Sequence, residues 1–139
     1  MIYKTRTEIE TLTDRLVDRS LPRPLWTHAA HFAAGFCLLH RHDLNKVIND
    51  MPNIIRSYND ATGTPNTDEE GYHHTLTLFY LYTIDEYIRT LPEGYDFVDA
   101  CHHLISGEKG AKEYPFKFYS KKLLFSIEAR HGWVAADLE

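Results

Sequence analysis

Cysteine is scarce in this chain: Cys37 and Cys101 are the two thiols in 139 residues. Two thiols cannot build a disulfide framework, and the Cys-x-x-Cys spacing of metal ribbons and redox motifs is missing. Cys37 sits in an apolar run and reads as a small core residue. Reduced thiols point to the cytoplasm. Long apolar runs are also lacking. Arg41 and Asp85 close the two longest before either approaches the ~20 residues that span a bilayer. The opening MIYKTRTEIETL has no apolar core, so no signal peptide is expected. Positive charge is in the minority: 15 Lys and Arg against 20 Asp and Glu leave a net charge of −5. The cluster Lys109, Lys112, Lys117, Lys121, Lys122 is interrupted by Glu108 and Glu113 and reads as solvated surface. Without a basic stripe, no nucleic-acid partner is expected. The Gly-x-Ser-x-Gly elbow, the phosphate loops and His-Glu-x-x-His are absent too. Glu70 and His73 stand at Glu-x-x-His spacing, and so do Glu128 and His131 in the short C-terminal tail, whereas di-iron bundles carry two such pairs on core helices.

What the chain has is helical periodicity. Its length suits one domain over residues 1–139. Ile9, Leu12 and Leu16 repeat at helical spacing within Thr7–Arg19. Pro22 and Pro24 break that helix, and Pro24 suits the first turn of a second, ending near Arg41. Asp43 is the expected N-cap of a third, carrying Leu44, Val47, Ile48, Ile54, Ile55 and Tyr58, which Pro52 must kink or split. TGTPNTDEE forms a loop. A fourth helix runs from about Gly71 to Leu91, a shorter fifth from about Tyr95 to Ile105, and SGEKGAKEYP is a loop. Ser120 and Ser126 are placed to cap two short helices near the C-terminus. The prediction is an all-α, single-domain bundle of about five main helices with short C-terminal helices packed back on it.

Two stretches stand out: PLWTHAAHFAAGFCLLH from Pro24 and GYHHTLTLFYLYTI from Gly71. Neither holds a Lys, Arg, Asp or Glu, although a quarter of the residues are charged. Helices without charge are usually buried, so their polar residues are site candidates. At about 100° per residue, Pro24, Thr27, His28, His31, Gly35, Leu38 and His42 share one stripe. His73, Thr77, Tyr80 and Ile84 share another, with His74 turned away. Short connections make consecutive helices antiparallel, so the second and fourth run parallel with their starts at one bundle end. The end of the third helix, with Tyr58 and Asn59, arrives there as well. His28, His31, His73 and Asn59 are therefore expected to meet in one polar pocket, with His28 and His31 mostly buried. His-x-x-His suits two ligands on one metal. The same histidines also fit a solvent stripe or a satisfied hydrogen-bond network. His40 and His42 suit the helix end they flank, and adjacent His102 and His103 diverge too much to bind a metal together.

The combination Trp26-x-His28-x-x-His31, Tyr58-Asn59, Gly71-Tyr72-His73-x-Thr75 and Leu124-Phe125-Ser126-x-Glu128-Ala129-Arg130-x-Gly132-Trp133-Val134 resembles a group of small uncharacterised bacterial proteins, over about Pro24 to Leu138. In that group Glu usually follows the Tyr-His pair; here the residue is His74, so no carboxylate role carries over. The resemblance implies a shared helical fold and pocket, and brings no activity. It implies that Leu124, Phe125, Trp133 and Val134 pack back on the bundle, with Glu128 or Arg130 closing one end.

Three functions follow as expectations. The first is a cytoplasmic bundle whose histidine-lined pocket holds a divalent transition metal such as zinc or iron on His28, His31 and His73. Trp26, Tyr58, Asn59, Tyr72 and Thr77 would line the pocket around it. Metal-assisted or general acid–base chemistry is the natural class if it is an enzyme. The second is a module binding an anionic or aromatic small molecule through His28 and His73, aided by Trp26 and Tyr72. The third is a non-catalytic homodimeric structural or interaction protein whose buried histidines form a hydrogen-bond network.

Overall fold

The structure, a computed structural model, describes residues 2–138. It is an all-α bundle, and no strand occurs among the described residues. The helices are α1 (Arg6–Val17), α2 (His28–Arg41), α3 (Leu44–Thr62), α4 (His74–Arg89), α5 (Phe97–Ser106), α6 (Lys121–Leu124) and α7 (Ile127–His131). Single 3-10 turns lie at Arg23–Leu25, Glu108–Gly110 and Tyr114–Lys117. The last two fall where the sequence suggests plain loop.

Side chains set most helix starts. Thr5, Thr27, Asp43, Asp96, Ser120 and Ser126 each accept a backbone N–H of the first turn, which satisfies a donor that the helix itself cannot. Thr27 explains a correction to the expected start of α2. The helix begins at His28, and Pro24 lies in the separate 3-10 turn. Pro52 neither splits α3 nor ends it; the helix continues to Thr62. Proline deletes one backbone bond and crowds the preceding turn, and the long apolar face through Val47, Met51, Ile55 and Tyr58 outweighs that loss. α4 starts at His74 rather than Gly71, with His73 as its N-cap.

α2 is the central helix, with Ala30, Ala33, Ala34 and Phe36 fully buried. It runs parallel to α4, as the connectivity predicts. Phe32 meets Tyr80 at 5.0 Å between ring centroids, and Phe36 meets Tyr87 at 6.5 Å. A Cβ on Gly35 would come within 3.1 Å of Ile84. Residue numbers thus rise together along both helices. They also fix the stagger. His28, the first residue of α2, lies against Tyr80 at 6.3 Å, six residues into α4, which therefore extends about 9 Å past the start of α2.

Candidate functional site

The overhang leaves a cavity of about 540 Å³, within the roughly 300–1,000 Å³ of small-molecule sites. Its apolar floor is made by Phe32, Met51, Ile55, Leu81 and Ile84. The 23–26 segment and residues of the 112–125 stretch complete the wall. Of the residues singled out in the sequence, Trp26, His28, His31, Asn59, Tyr72, His73 and Thr77 all line it. Tyr58, expected with them, stands one layer back. It is fully buried, its hydroxyl donates to the Leu21 carbonyl at 2.9 Å, and its ring packs edge-on to Trp26.

The three histidines are held in different ways. His73 uses both ring nitrogens: Nδ1 accepts the Leu76 N–H at 3.1 Å, and Nε2 donates to the Leu124 carbonyl at 2.7 Å. It is buried, and burial lowers its pKa below the usual histidine value. His28 is half-buried and donates from Nε2 to the Gly110 carbonyl at 2.9 Å. Gly110 can take that place because it has no side chain: a Cβ there would lie 2.0 Å from the Ile105 carbonyl oxygen. His31 donates from Nδ1 to the Thr27 carbonyl at 2.7 Å and stacks on Trp26 at 3.7 Å.

The expectation that His31 is mostly buried is corrected. Its surface is open, because this face of α2 borders the cavity instead of a packed helix. The surrounding protein still opposes its charged form: desolvation, countered by the Thr27 carbonyl and aided by His28 and Arg23, takes its pKa down to about 4. Water reaching the open face moves it back toward the ordinary range.

The donor set bears on the metal. Among the described residues, no group of three or more His, Cys, Asp and Glu side chains is arranged to hold an ion. A metal on all three histidines would require His73 to give up the α4 cap, because Nδ1 would then either bind the ion or carry the ring proton and could not accept the Leu76 N–H. His28 Nδ1 and His31 Nε2 have no hydrogen-bond partner among the described residues.

Asn59 is buried at the end of α3. It accepts from the Arg23 guanidinium at 3.1 Å and donates to Asn66 at 3.0 Å. Asn66 also accepts the Tyr72 N–H at 3.0 Å, so it ties the loop to α3. The turn needs Gly71, whose φ is +85° and whose added Cβ would lie 2.2 Å from the Pro65 carbonyl oxygen. Tyr72 lies under the Arg56 guanidinium at 4.5 Å, with its hydroxyl 2.8 Å from His74 Nδ1. The tail does return to the bundle. Leu124 is buried, Arg130 donates to the Gly71 and Tyr72 carbonyls, and Val134 is bonded through Thr75 and Tyr119. Of the other two expected to pack inward, Phe125 stays largely exposed and Trp133 nearly half exposed.

Sequence reasoning missed Arg23, Asn66, Tyr80 and Lys112. Tyr80 was visible on the His73–Thr77 stripe; the others sit in segments without periodicity. Compared with known proteins, the chain matches no family, no curated protein and no solved structure.

Proposed function

We propose that this protein is a non-catalytic binding module whose cavity takes a small molecule with an apolar body, and that its histidines are structural hydrogen-bonders framing that cavity. The observation that carries the proposal is the pairing of a roughly 540 Å³ apolar-floored cavity with His28 and His73 rings tied to backbone carbonyls. The wall includes no Asp, Glu, Ser or Cys. It therefore offers no carboxylate and no Ser or Cys nucleophile, and each of its three histidines already bonds a backbone carbonyl through one ring nitrogen. A cytoplasmic setting rests on the two free, buried thiols. No described helix is long and apolar enough to cross a membrane.

The test is a melting curve with decanol and with decanoate. At a hundredfold excess over its dissociation constant, a ligand bound only by the fold adds about 2.7 kcal/mol. Thr77→Phe, which fills the cavity, should remove the increment. No stabilisation by either compound would overturn the proposal. Stoichiometric zinc or iron on tag-free protein, lost on His28→Ala, would replace it with the metal reading.

One observation favours a second reading, an interaction protein: Tyr82 and Trp133 meet edge-on at 5.8 Å yet each stays nearly half exposed. A homodimer through them would show a concentration-dependent sedimentation coefficient, abolished by Trp133→Ala.

A further inference from the structure

The chain is acidic overall, but its cavity is not. Arg23 and Lys112 are on the wall and no carboxylate is. Arg56 stacks on Tyr72 and Arg130 bonds to the Gly71 and Tyr72 carbonyls, so both stand behind that wall. Elsewhere five basic residues are paired with acids, Arg6 with Glu10, Arg41 with Asp14, Lys46 with Asp50, Arg89 with Asp85 and Lys117 with Glu108. Among the described residues Lys4, Arg15, Arg19, Lys109, Lys121 and Lys122 are not paired, and they lie off the cavity wall. Arg23, Arg56, Lys112 and Arg130 enter no ion pair among the described residues. The acidic run Asp68–Glu70 is exposed in the loop before α4, and Asp68 is paired with His131.

We infer that the ligand of this cavity is a small organic anion with an apolar body, its charged group held by Arg23 and Lys112 and its body laid on Trp26, Phe32, Leu81 and Ile84. This rests on the cavity being a binding site and adds the class of ligand. Arg23 is already oriented: Asn59 Oδ1 fixes one guanidinium nitrogen, and the guanidinium carbon lies 5.7 Å from the Tyr58 ring centroid. The remaining N–H groups form the planar fork that matches a carboxylate, sulfonate or phosphate. Nothing else on the wall becomes anionic near neutral pH, because burial pushes the Tyr72 and Tyr80 hydroxyls up to about 12. The depth of the cavity is apolar, so a bare inorganic anion would leave it unfilled.

Two fluorescent probes with one aromatic body separate charge from cavity: anilinonaphthalene sulfonate and phenylnaphthylamine, which lacks the sulfonate. On the full chain, the sulfonate dye should bind about tenfold more tightly than the neutral one. The double substitution Arg23→Gln, Lys112→Gln should bring that ratio close to one without weakening the neutral dye. Lys112→Gln alone, at an exposed side chain, should lower it in part, and Arg23→Lys should keep most of it. Thr77→Phe should weaken both dyes. A wild-type chain that binds the neutral dye as well as the anion would overturn this inference and leave the binding module standing. So would a double variant that keeps the preference while melting as the wild type does. Failure of both dyes to bind would remove both proposals, as would sulfonate binding unchanged by Thr77→Phe, which would place the dye on the surface.

Discussion

His73 joins two elements through one ring, capping α4 with Nδ1 and holding the Leu124 carbonyl with Nε2. Removing it loses a cap and strands a buried acceptor, so His73→Ala should cost roughly 2–4 kcal/mol in urea unfolding. His31→Ala should cost only about 1 kcal/mol, because its ring bonds to its own helix start and stacks on one indole. Equal losses at the two positions would contradict these roles. Acid should reveal the same residues. Burial is the first cause lowering the pKa of His31, His40, His73 and His74. The folded chain is then the weaker base. Above an ordinary histidine pKa of about 6.5 neither state is protonated and stability is full. As pH falls below that, the unfolded chain takes up protons that the fold refuses, and stability declines until the folded groups titrate at their lowered pKa values. The urea midpoint should therefore be lower at about pH 5 than at about pH 7.5, with a smaller difference in His31→Ala. A midpoint that rises on acidification would show that partners favouring the charged form had been overlooked.

At the scale of elements, the cavity arises from stagger. α4 begins well before α2, and 3-10 turns with little helical content of their own cover the gap. This is why the sequence could be read only in part. Helical periodicity and short connections place α2, α3 and α4, and hence bring Asn59, His28, His31 and His73 together. The roof comes from the 23–26 and 107–118 segments, whose positions depend on contacts distant in sequence. Arg23 looked like a residue between two helix breakers, and Lys112 like solvated tail. The Thr27 cap and the His73 cap each shift a helix start by a few residues, which changes what a helical wheel drawn from Pro24 or Gly71 brings onto one face. Gly110 shows how tightly the roof is set. Gly110→Ala forces a Cβ toward the Ile105 carbonyl oxygen and must displace the carbonyl that His28 holds. It should cost roughly 2 kcal/mol and weaken probe binding together with stability. A neutral outcome in thermal melting would mean that the roof adjusts freely.

For the whole molecule, the polar groups are well satisfied while one space is left unfilled. Among the described residues, no buried side-chain nitrogen or oxygen lacks a hydrogen-bond partner, as expected of a cooperative native core. Such a bundle can fold without a ligand, which then binds a preformed site and stabilises by mass action. The claim at the centre of this account is that the cavity beneath His28, His31 and His73 is where a small molecule binds. Amide and ring chemical shifts of isotope-labelled protein titrated with decanoate test it most directly. The largest saturable changes should fall on Trp26, His28, His31, Tyr80 and Leu81, with the α1–α5 face around Ile9 and Val98 unmoved. Changes confined to that opposite face, or none at saturating decanoate, would contradict it.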